Sequence, residues 1–159
     1  MISEEEFLKL VGQHQGIIHK ICKLYRDQKE DREDLFQEIV FQLWKSVDGF
    51  DGRSKFSTWM YKVALSTAIA VYRKRAPVIV FTDELPEHAD ASPGINDHSD
   101  RLLEVLKTLD DADKALIVLY LEDLSYREIA EISGISENYV GVKLNRIKSK
   151  IQKTIKVQP

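Results

Sequence analysis

The chain has few of the residues that interrupt a fold: one cysteine, four prolines and seven glycines among 159 residues. The single cysteine, Cys22, excludes an internal disulfide framework and a multi-cysteine zinc module. Scarce proline and glycine predict a chain rich in helix and poor in turns. The longest unbroken apolar run, Ala115 to Leu121, is far shorter than a membrane span, so no membrane insertion is expected.

Signals for export and for catalysis are also lacking. The N-terminal residues Met1 to Glu6 show neither the basic start nor the apolar stretch of a secretory signal, which favours a cytoplasmic location. The four histidines and Cys22 form no convincing metal set, and no phosphate-binding glycine loop or nucleophile–base pair occurs. We therefore expect no catalytic residue, no metal and no cofactor.

The net charge of −3 hides a strongly uneven distribution. Residues 52–75 carry six basic side chains and no acid, and residues 138–159 carry six more, again without an acid. Between them, residues 76–100 hold six acids and no Lys or Arg. Two basic segments separated by an acidic one indicate two contacts with a polyanion such as nucleic acid.

Apolar periodicity and capping signals predict helices throughout. The first helix runs to about residue 25 with a break near Gly12 or Gly16, and further helices cover about 31–47, 55–75, 100–108, 111–121, 125–133 and 136–155. Residues 77–98 contain three of the four prolines and little periodicity, as in a linker. The predicted fold is all-α: two small helical domains, residues 1–76 and 100–159, joined by a flexible acidic linker at 77–99.

The C-terminal segment has helix-turn-helix spacing. Small Ala130 allows two helices to cross closely, Gly134 suits the turn, and Val140 locks the second helix, which Ser136 caps. The core face of that helix carries Val140, Leu144, Ile147 and Ile151. The alternative from the residues alone is an ordinary helical hairpin with a solvated basic face, but an acid-free basic surface favours DNA binding.

The third helix combines an aromatic residue with cations. At about 100° per residue, one arc holds Trp59, Lys62, Ser66 and Arg73, while Met60, Ala64, Ala68 and Val71 form the buried side. A ring that stacks a base beside charges that hold a backbone is typical of single-stranded nucleic-acid binding. Equally, Trp59 and Phe56 are core residues in the alternative interpretation, since tryptophan is usually mostly buried.

The second helix has a broad apolar half made of Leu35, Phe36, Ile39, Val40, Leu43 and Trp44. Its other half presents Asp34, Gln37, Glu38 and Lys45, with Phe41 among them. An aromatic side chain amid acids and amides resembles a protein-docking face. The residues alone favour the simpler explanation, because single exposed aromatic side chains are common.

Two motifs in the right order resemble a known family. The segment 31–38 (DREDLFQE), then Trp44, then 56–64 (FSTWMYKVA) is similar to region two of an extracytoplasmic-function (ECF) RNA polymerase sigma factor, in the sigma-70 family. The segments 124–130 (LSYREIA) and 139–146 (YVGVKLNR) resemble region four of the same family. The match covers nearly the whole chain.

The resemblance implies three surfaces and two partners, core RNA polymerase and promoter DNA. Core polymerase would dock on the second helix through Asp34, Gln37, Glu38 and Phe41, which reverses the preference stated above. The minus-ten element would be opened and read beside the third helix by Lys55, Phe56, Ser57, Trp59 and Lys62, with Ser66 and Arg73 on the same arc. The minus-thirty-five element would be read by Glu137, Asn138, Tyr139, Val142, Lys143 and Arg146, with Ser136 at the helix start.

Departures from the family pattern concern promoter reading. Ala64-Leu65-Ser66 replaces a common Ala-Arg-Asn, Ala70 replaces a common aspartate, and Gly141-Val142 replaces a frequent Lys-Ser. They indicate a different promoter sequence with the same function. Many family members are held inactive by an anti-sigma factor, so the resemblance allows such a partner. The alternative functions are a stand-alone helix-turn-helix regulator and a helical protein-binding adaptor.

Overall fold

The computed structural model describes residues 2–75 and 97–157, with side chains for 2–70 and 101–156. Over these residues the chain forms eight α-helices and no strand, which confirms the predicted all-α fold class. The predicted linker lies outside the described residues as far as residue 96, and helix begins again at Asp97. The helices are α1 (Glu4–Gln13), α2 (Gln15–Tyr25), α3 (Lys29–Ser46), α4 (Phe56–Arg75), α5 (Asp97–Lys107), α6 (Asp111–Leu121), α7 (Tyr126–Ser133) and α8 (Glu137–Val157).

A capping box starts α1, as the sequence predicts. The Ser3 hydroxyl accepts a hydrogen bond from the Glu6 amide at 3.1 Å, and the Glu6 carboxylate accepts one from the Ser3 amide at 3.3 Å. The break between α1 and α2 lies at His14, between the two glycines where we expected it. The His14 amide donates to the Leu10 carbonyl oxygen at 3.2 Å, and ring Nδ1 lies 2.9 Å from the same oxygen, so this residue satisfies the end of α1.

Three helices, α2, α3 and α4, form the core of the N-terminal half. Ile18, Ile39 and Met60 contribute one fully buried side chain from each helix. The predicted buried side of α4 is confirmed for Met60, Ala64 and Ala68, whereas Val71 lies outside the described side chains. Burial of each large aliphatic side chain contributes about 1.5–3 kcal/mol, so this layer fixes the faces that α3 and α4 turn outward.

The C-terminal half contains the predicted helix-turn-helix. Ser125 and Glu128 form the capping box of α7, and Gly134 ends that helix in the left-handed conformation with φ +77°. The Ser136 hydroxyl accepts a hydrogen bond from the Tyr139 amide at 3.1 Å and so caps α8. Val140, Leu144 and Ile147 are buried and anchor α8 on its neighbours.

The two halves pack against each other, and their apolar residues form one continuous core. Three polar contacts between them join residues at least 80 positions apart in the chain. The Tyr25 hydroxyl donates to the Asp111 carbonyl oxygen at 2.8 Å, Lys107 Nζ lies 2.7 Å from Asp27 Oδ1, and Lys20 Nζ lies 2.5 Å from Glu122 Oε1. Helical periodicity reports only which face is apolar, so the sequence does not predict these contacts.

Candidate nucleic-acid and protein interfaces

The four residues predicted to dock a protein line one groove on α3. The groove has a volume of about 440 Å³. Its lining consists of Asp34, Gln37, Glu38 and Phe41 together with Arg26, Asp31 and Leu35. Phe41 is 55% exposed, and Glu38 is oriented by a 3.0 Å hydrogen bond from Gln42 Nε2. An exposed ring with a polar rim has the anatomy of a protein-binding hot spot.

Trp44 extends the apolar surface of α3 beyond this groove. The sequence groups Trp44 with the apolar half of the helix, but its side chain is 42% exposed. The ring packs against Phe7 of α1, with centroids 4.9 Å apart. This contact leaves much of the indole accessible, so α3 presents two large exposed aromatic side chains, Phe41 and Trp44.

Arg26 lines the groove and connects α3 with α4. The sequence did not predict this role. Arg26 is only 8% exposed. Its guanidinium donates to the carbonyl oxygens of Tyr25 at 2.8 Å and Ala68 at 3.1 Å, and its own carbonyl oxygen accepts from Arg32 Nε at 3.0 Å. An arginine just before a helix gives no sequence signal of this kind, because its partner on α4 lies 42 residues away.

An aromatic cluster of Phe50, Phe56 and Trp59 forms the start of α4. Each pair of rings has centroids 5.3–5.7 Å apart. Trp59 is half-buried in this cluster, so it is neither a pure core residue nor a free stacking platform. Lys55, Lys62 and Ser66 are exposed, whereas Phe56 and Ser57 are partly buried. The side chain of Arg73 lies outside the described part of the chain.

Leu65 is one of the departures from the family pattern, and its burial accounts for an apolar residue at this position. Where a cation is common, this chain has a leucine that is only 3% exposed and belongs to the core. The neighbouring Ser66 is exposed, as is Ala70. Leu65 therefore packs in the core, and the exposed side of α4 carries Lys62 and Ser66.

Glu128 brings the helix-turn-helix against this surface. Its Oε2 lies 3.4 Å from the hydroxyl of Thr58, a buried residue between Ser57 and Trp59. The hydrogen bond from the Ser125 amide lowers the pKa of Glu128, with smaller contributions from the Ser125 hydroxyl, the positive charge of Lys55 and the Thr58 hydroxyl. An ionised carboxylate of α7 thus lies beside a lysine that the sequence predicts to face DNA.

The first turns of α8 present the predicted base-reading residues. The exposed members are Glu137, Asn138, Tyr139, Val142 and Arg146. Tyr139 is 44% exposed although it is aromatic, because the buried face of α8 is filled by Val140 and Leu144. Arg146 makes no ion pair among the described side chains of residues 2–70 and 101–156, so its guanidinium is available for a ligand.

Lys143 differs from the other candidates. Its Nζ lies 3.5 Å from Oδ1 of Asp113 on α6, and Nζ of Lys150 lies 3.3 Å from Oδ2 of the same carboxylate. Sequence reasoning missed Asp113, since an acid in the first turn of a helix is expected for reasons of local charge alone. Lys148 also has an internal partner: its Nζ lies 4.1 Å from the centroid of the Tyr120 ring.

The described residues contain no group of three or more His, Cys, Asp or Glu placed to hold a metal ion. Burial raises the pKa of the Cys22 thiol to about 11, so it stays protonated at neutral pH. Within the same residues, no helix has both the length and the apolar character that crossing a bilayer requires.

Family models match both halves of the chain. The model described as sigma-70 region 2 matches residues 10–77, and the model described as sigma-70, region 4 matches residues 99–151. The groove on α3 and the aromatic cluster on α4 fall within the first match. The helix-turn-helix falls within the second.

Relatives match over most of their length. RNA polymerase sigma factor SigV of Bacillus subtilis is 32% identical, covering 86% of this chain and 82% of the relative. ECF RNA polymerase sigma factor SigW of the same organism is 25% identical, covering 96% and 90%. The fold is similar to that of the sigma factor RpoE in its complex with the anti-sigma factor NepR from Bartonella quintana, with a TM-score of 0.78 and 20% identity, covering 98% and 99% of the two chains.

Proposed function

Because the chain belongs to the extracytoplasmic-function group of sigma-70 RNA polymerase sigma factors, we propose that α3 docks on core polymerase while α4 and α8 read promoter DNA. Sigma factors are non-enzymatic initiation factors that direct core polymerase to promoters, and this chain shares that role. The observation that carries the residue assignment is the groove on α3, which gathers Asp34, Gln37, Glu38 and Phe41 around one exposed ring.

The start of α4 is the proposed minus-ten surface. The exposed lysines Lys55 and Lys62 would hold the phosphates of an opened strand, and Trp59 would offer the free part of its ring to an unstacked base. The rings of Phe50 and Phe56 support Trp59 from the protein side. The complete proposed set is Lys55, Phe56, Ser57, Trp59, Lys62, Ser66 and Arg73.

The start of α8 is the proposed minus-thirty-five surface. Arginine is the side chain best suited to bidentate contact with guanine, and an aliphatic residue such as Val142 suits the methyl group of thymine. Asn138 has the donor and acceptor that adenine requires. The complete proposed set is Ser136, Glu137, Asn138, Tyr139, Val142, Lys143 and Arg146, in which Ser136 also caps the helix.

Three broader assignments belong to the same proposal. We assign residues 1–76 to polymerase docking and minus-ten recognition, 77–99 to a linker, and 100–159 to minus-thirty-five recognition, supported by the two family matches. The chain would catalyse no reaction itself and would act in the cytoplasm, where core polymerase works. An anti-sigma factor is a proposed further partner, since the structural neighbour RpoE is described in complex with one.

Two exposed aromatic residues allow the surfaces to be tested separately. Phe41→Ala should weaken binding to core polymerase by about 30-fold or more, as expected for a hot spot, while binding of the free chain to its minus-thirty-five element stays unchanged. Tyr139→Ala is the matched control and should show the reverse pattern. Titration of labelled variants with core enzyme and with duplex DNA measures both.

The alternative function, a stand-alone helix-turn-helix regulator, predicts a different outcome. Such a protein binds palindromic half-sites as a dimer and needs no polymerase. Failure of the unmodified chain to bind core polymerase, together with selective binding to a palindrome, would replace our proposal with that one. Equal effects of Phe41→Ala and Tyr139→Ala on both ligands would contradict the separation of the two surfaces.

A further inference from the structure

Asp113 is a buried acid that faces the DNA-reading helix. Among carboxylates whose side chains the structure describes, it alone is buried, at 2% exposure. Both of its oxygens face lysines of α8: Lys143 lies 3.5 Å from Oδ1, and Lys150 lies 3.3 Å from Oδ2. Oδ1 has no hydrogen-bond partner within residues 2–75 and 97–157, so the lysine charge is what compensates it there.

The local structure of α6 favours an ionised side chain at this position. Asp113 lies in the first turn of α6, where the helix dipole stabilises a negative charge. Its backbone amide is already satisfied by Oδ1 of Asp110, the N-cap residue, at 2.8 Å. The Asp113 carboxylate is therefore not needed as a cap and is directed to α8.

The two lysines hold α8 at two separate turns. They are seven residues apart, which places them on one face of the helix about 10 Å apart along its axis. A single buried carboxylate bound at both points restricts rotation of α8 about its axis as well as sliding along it. Arg146 and Val142 lie on the same turns, so their direction depends on this restraint.

We propose that Asp113 is a positioning residue for promoter recognition. It fixes the rotation of α8 through Lys143 and Lys150, and the charges of these two lysines pair with its carboxylate. Lys143 then affects sequence recognition indirectly, because its ion pair with Asp113 holds α8 in position. The bases are contacted by Arg146, Asn138 and Val142. The proposal rests on the proposed role of α8 in minus-thirty-five recognition and adds a specificity determinant outside that helix.

The salt dependence of DNA binding distinguishes this proposal from a simple loss of folding. Each phosphate contacted by a cation makes the slope of log K against log salt more negative by about 0.9. Removal of the Asp113 charge frees Lys143 and Lys150 for phosphates. Binding should then become more dependent on salt while it becomes less selective for sequence.

The experiment measures binding of wild-type and Asp113→Asn holoenzyme to two duplexes over a range of salt concentrations. One duplex carries the minus-thirty-five element that the wild type selects from a random library, and the other carries one changed base pair. Such a mismatch typically costs about 5- to 150-fold in affinity. We expect Asp113→Asn to reduce this ratio several-fold and to steepen the salt slope by about 1 to 2.

Asp123→Asn is the matched control. It removes one exposed acid from the same half of the molecule without touching α8, and asparagine tolerates the positive φ of 64° at this position. This variant should keep the wild-type ratio. Its salt slope should also stay within error of the wild type, which separates a local effect of Asp113 from a change in net charge.

Lys150→Met keeps the test decisive where Asp113→Asn does not fold. The Lys150 side chain is largely exposed, and Lys143 remains to compensate Asp113. The proposal expects a lower discrimination ratio with an unchanged salt slope. A slope shallower by about 0.9 with unchanged discrimination would show a simple phosphate contact and overturn the inference.

Two failures are distinguishable. Wild-type holoenzyme that selects no minus-thirty-five element overturns the proposed function and the inference with it. Wild-type selection that persists unchanged in folded Asp113→Asn, with the same salt slope, overturns the inference alone.

Discussion

The two halves of the molecule each contain one buried charged residue that holds a functional helix, but they do so with different chemistry. In the N-terminal half, Arg26 donates to neutral carbonyl oxygens of Tyr25 and Ala68. In the C-terminal half, Asp113 pairs with Lys143 and Lys150. A guanidinium holds the backbone of α4, whereas a carboxylate holds two lysine side chains of α8. Salt should weaken the ion pairs of Asp113 and so affect the position of α8.

The difference also fits the ligands proposed for each half. The face of α3 exposes Phe41 and Trp44, which suits the proposed protein ligand. The face of α8 carries cations, which suits the proposed DNA ligand, and two of them, Lys143 and Lys150, pair with Asp113. The lesson is that a count of basic residues overstates how many are available to phosphates.

The largest expected effect comes from replacing Arg26, which holds α4 in the N-terminal half. Arg26→Met removes the hydrogen bonds that the buried guanidinium donates to the carbonyl oxygens of Tyr25 and Ala68. We expect the free energy of unfolding to fall by about 3 kcal/mol. Urea denaturation of the variant and of the wild type measures this loss. A loss below about 1 kcal/mol would contradict the role given to Arg26.

The next effect concerns the turn that orients α8. Gly134 has φ +77°, and a Cβ added there meets no atom within 4 Å, so only backbone strain opposes a side chain. Gly134→Ala should destabilise the protein by about 1–2 kcal/mol. Gly12→Ala is the control, since Gly12 is helical and equally uncrowded and should be neutral or stabilising. Equal behaviour of both variants in thermal denaturation would contradict the role given to the turn.

The smallest expected effect concerns the N-terminal cap of α7 and its dependence on pH. Ser125→Ala removes the cap of α7 and should cost about 1 kcal/mol at neutral pH. The pKa of Glu128 is lowered in the folded protein, chiefly by the Ser125 amide. Its contribution is therefore fully present above the unfolded pKa of about 4.3 and is lost as pH falls through the folded value.

Ser125→Ala keeps the Ser125 amide and removes only the smaller contribution of the hydroxyl to the pKa of Glu128. The stability difference from wild type should therefore shrink slightly as the pH falls through the lowered pKa of Glu128. The corresponding variant of the N-terminal half, Ser3→Ala, tests the other capping box, which Ser3 forms with Glu6. Denaturation of both variants between pH 3 and 7, at about one-unit intervals, separates the two caps. A difference that grows on acidification would contradict the sign assigned to Glu128.

Local features of the fold could be predicted from the sequence because they depend on residues that are close together in the chain. The capping boxes at Ser3 and Ser125, the turn at Gly134 and the exposed position of Phe41 follow from spacing within one or two turns. The break between α1 and α2 lies at His14, between the two predicted glycines, and the backbone amide and ring of His14 both satisfy the end of α1.

Contacts between residues far apart in the chain could not be predicted from the sequence. The partners of Asp113 lie 30 and 37 residues away, and the contact between Thr58 and Glu128 spans 70 residues. Periodicity shows that a residue faces inward without showing what it meets there. For that reason the sequence placed Lys143 among the DNA-facing cations, and only the packing of α6 on α8 revealed its internal partner.

Transcription from a promoter library by reconstituted holoenzyme shows whether the chain directs polymerase through two separate DNA-reading surfaces. We expect wild-type chain with core polymerase to initiate RNA at templates sharing two elements, and Arg146→Ala to lose preference only at the upstream one. Phe41→Ala should lower initiation at every template alike. Absence of initiation from all templates, or the same template profile for Arg146→Ala as for wild type, would contradict this expectation.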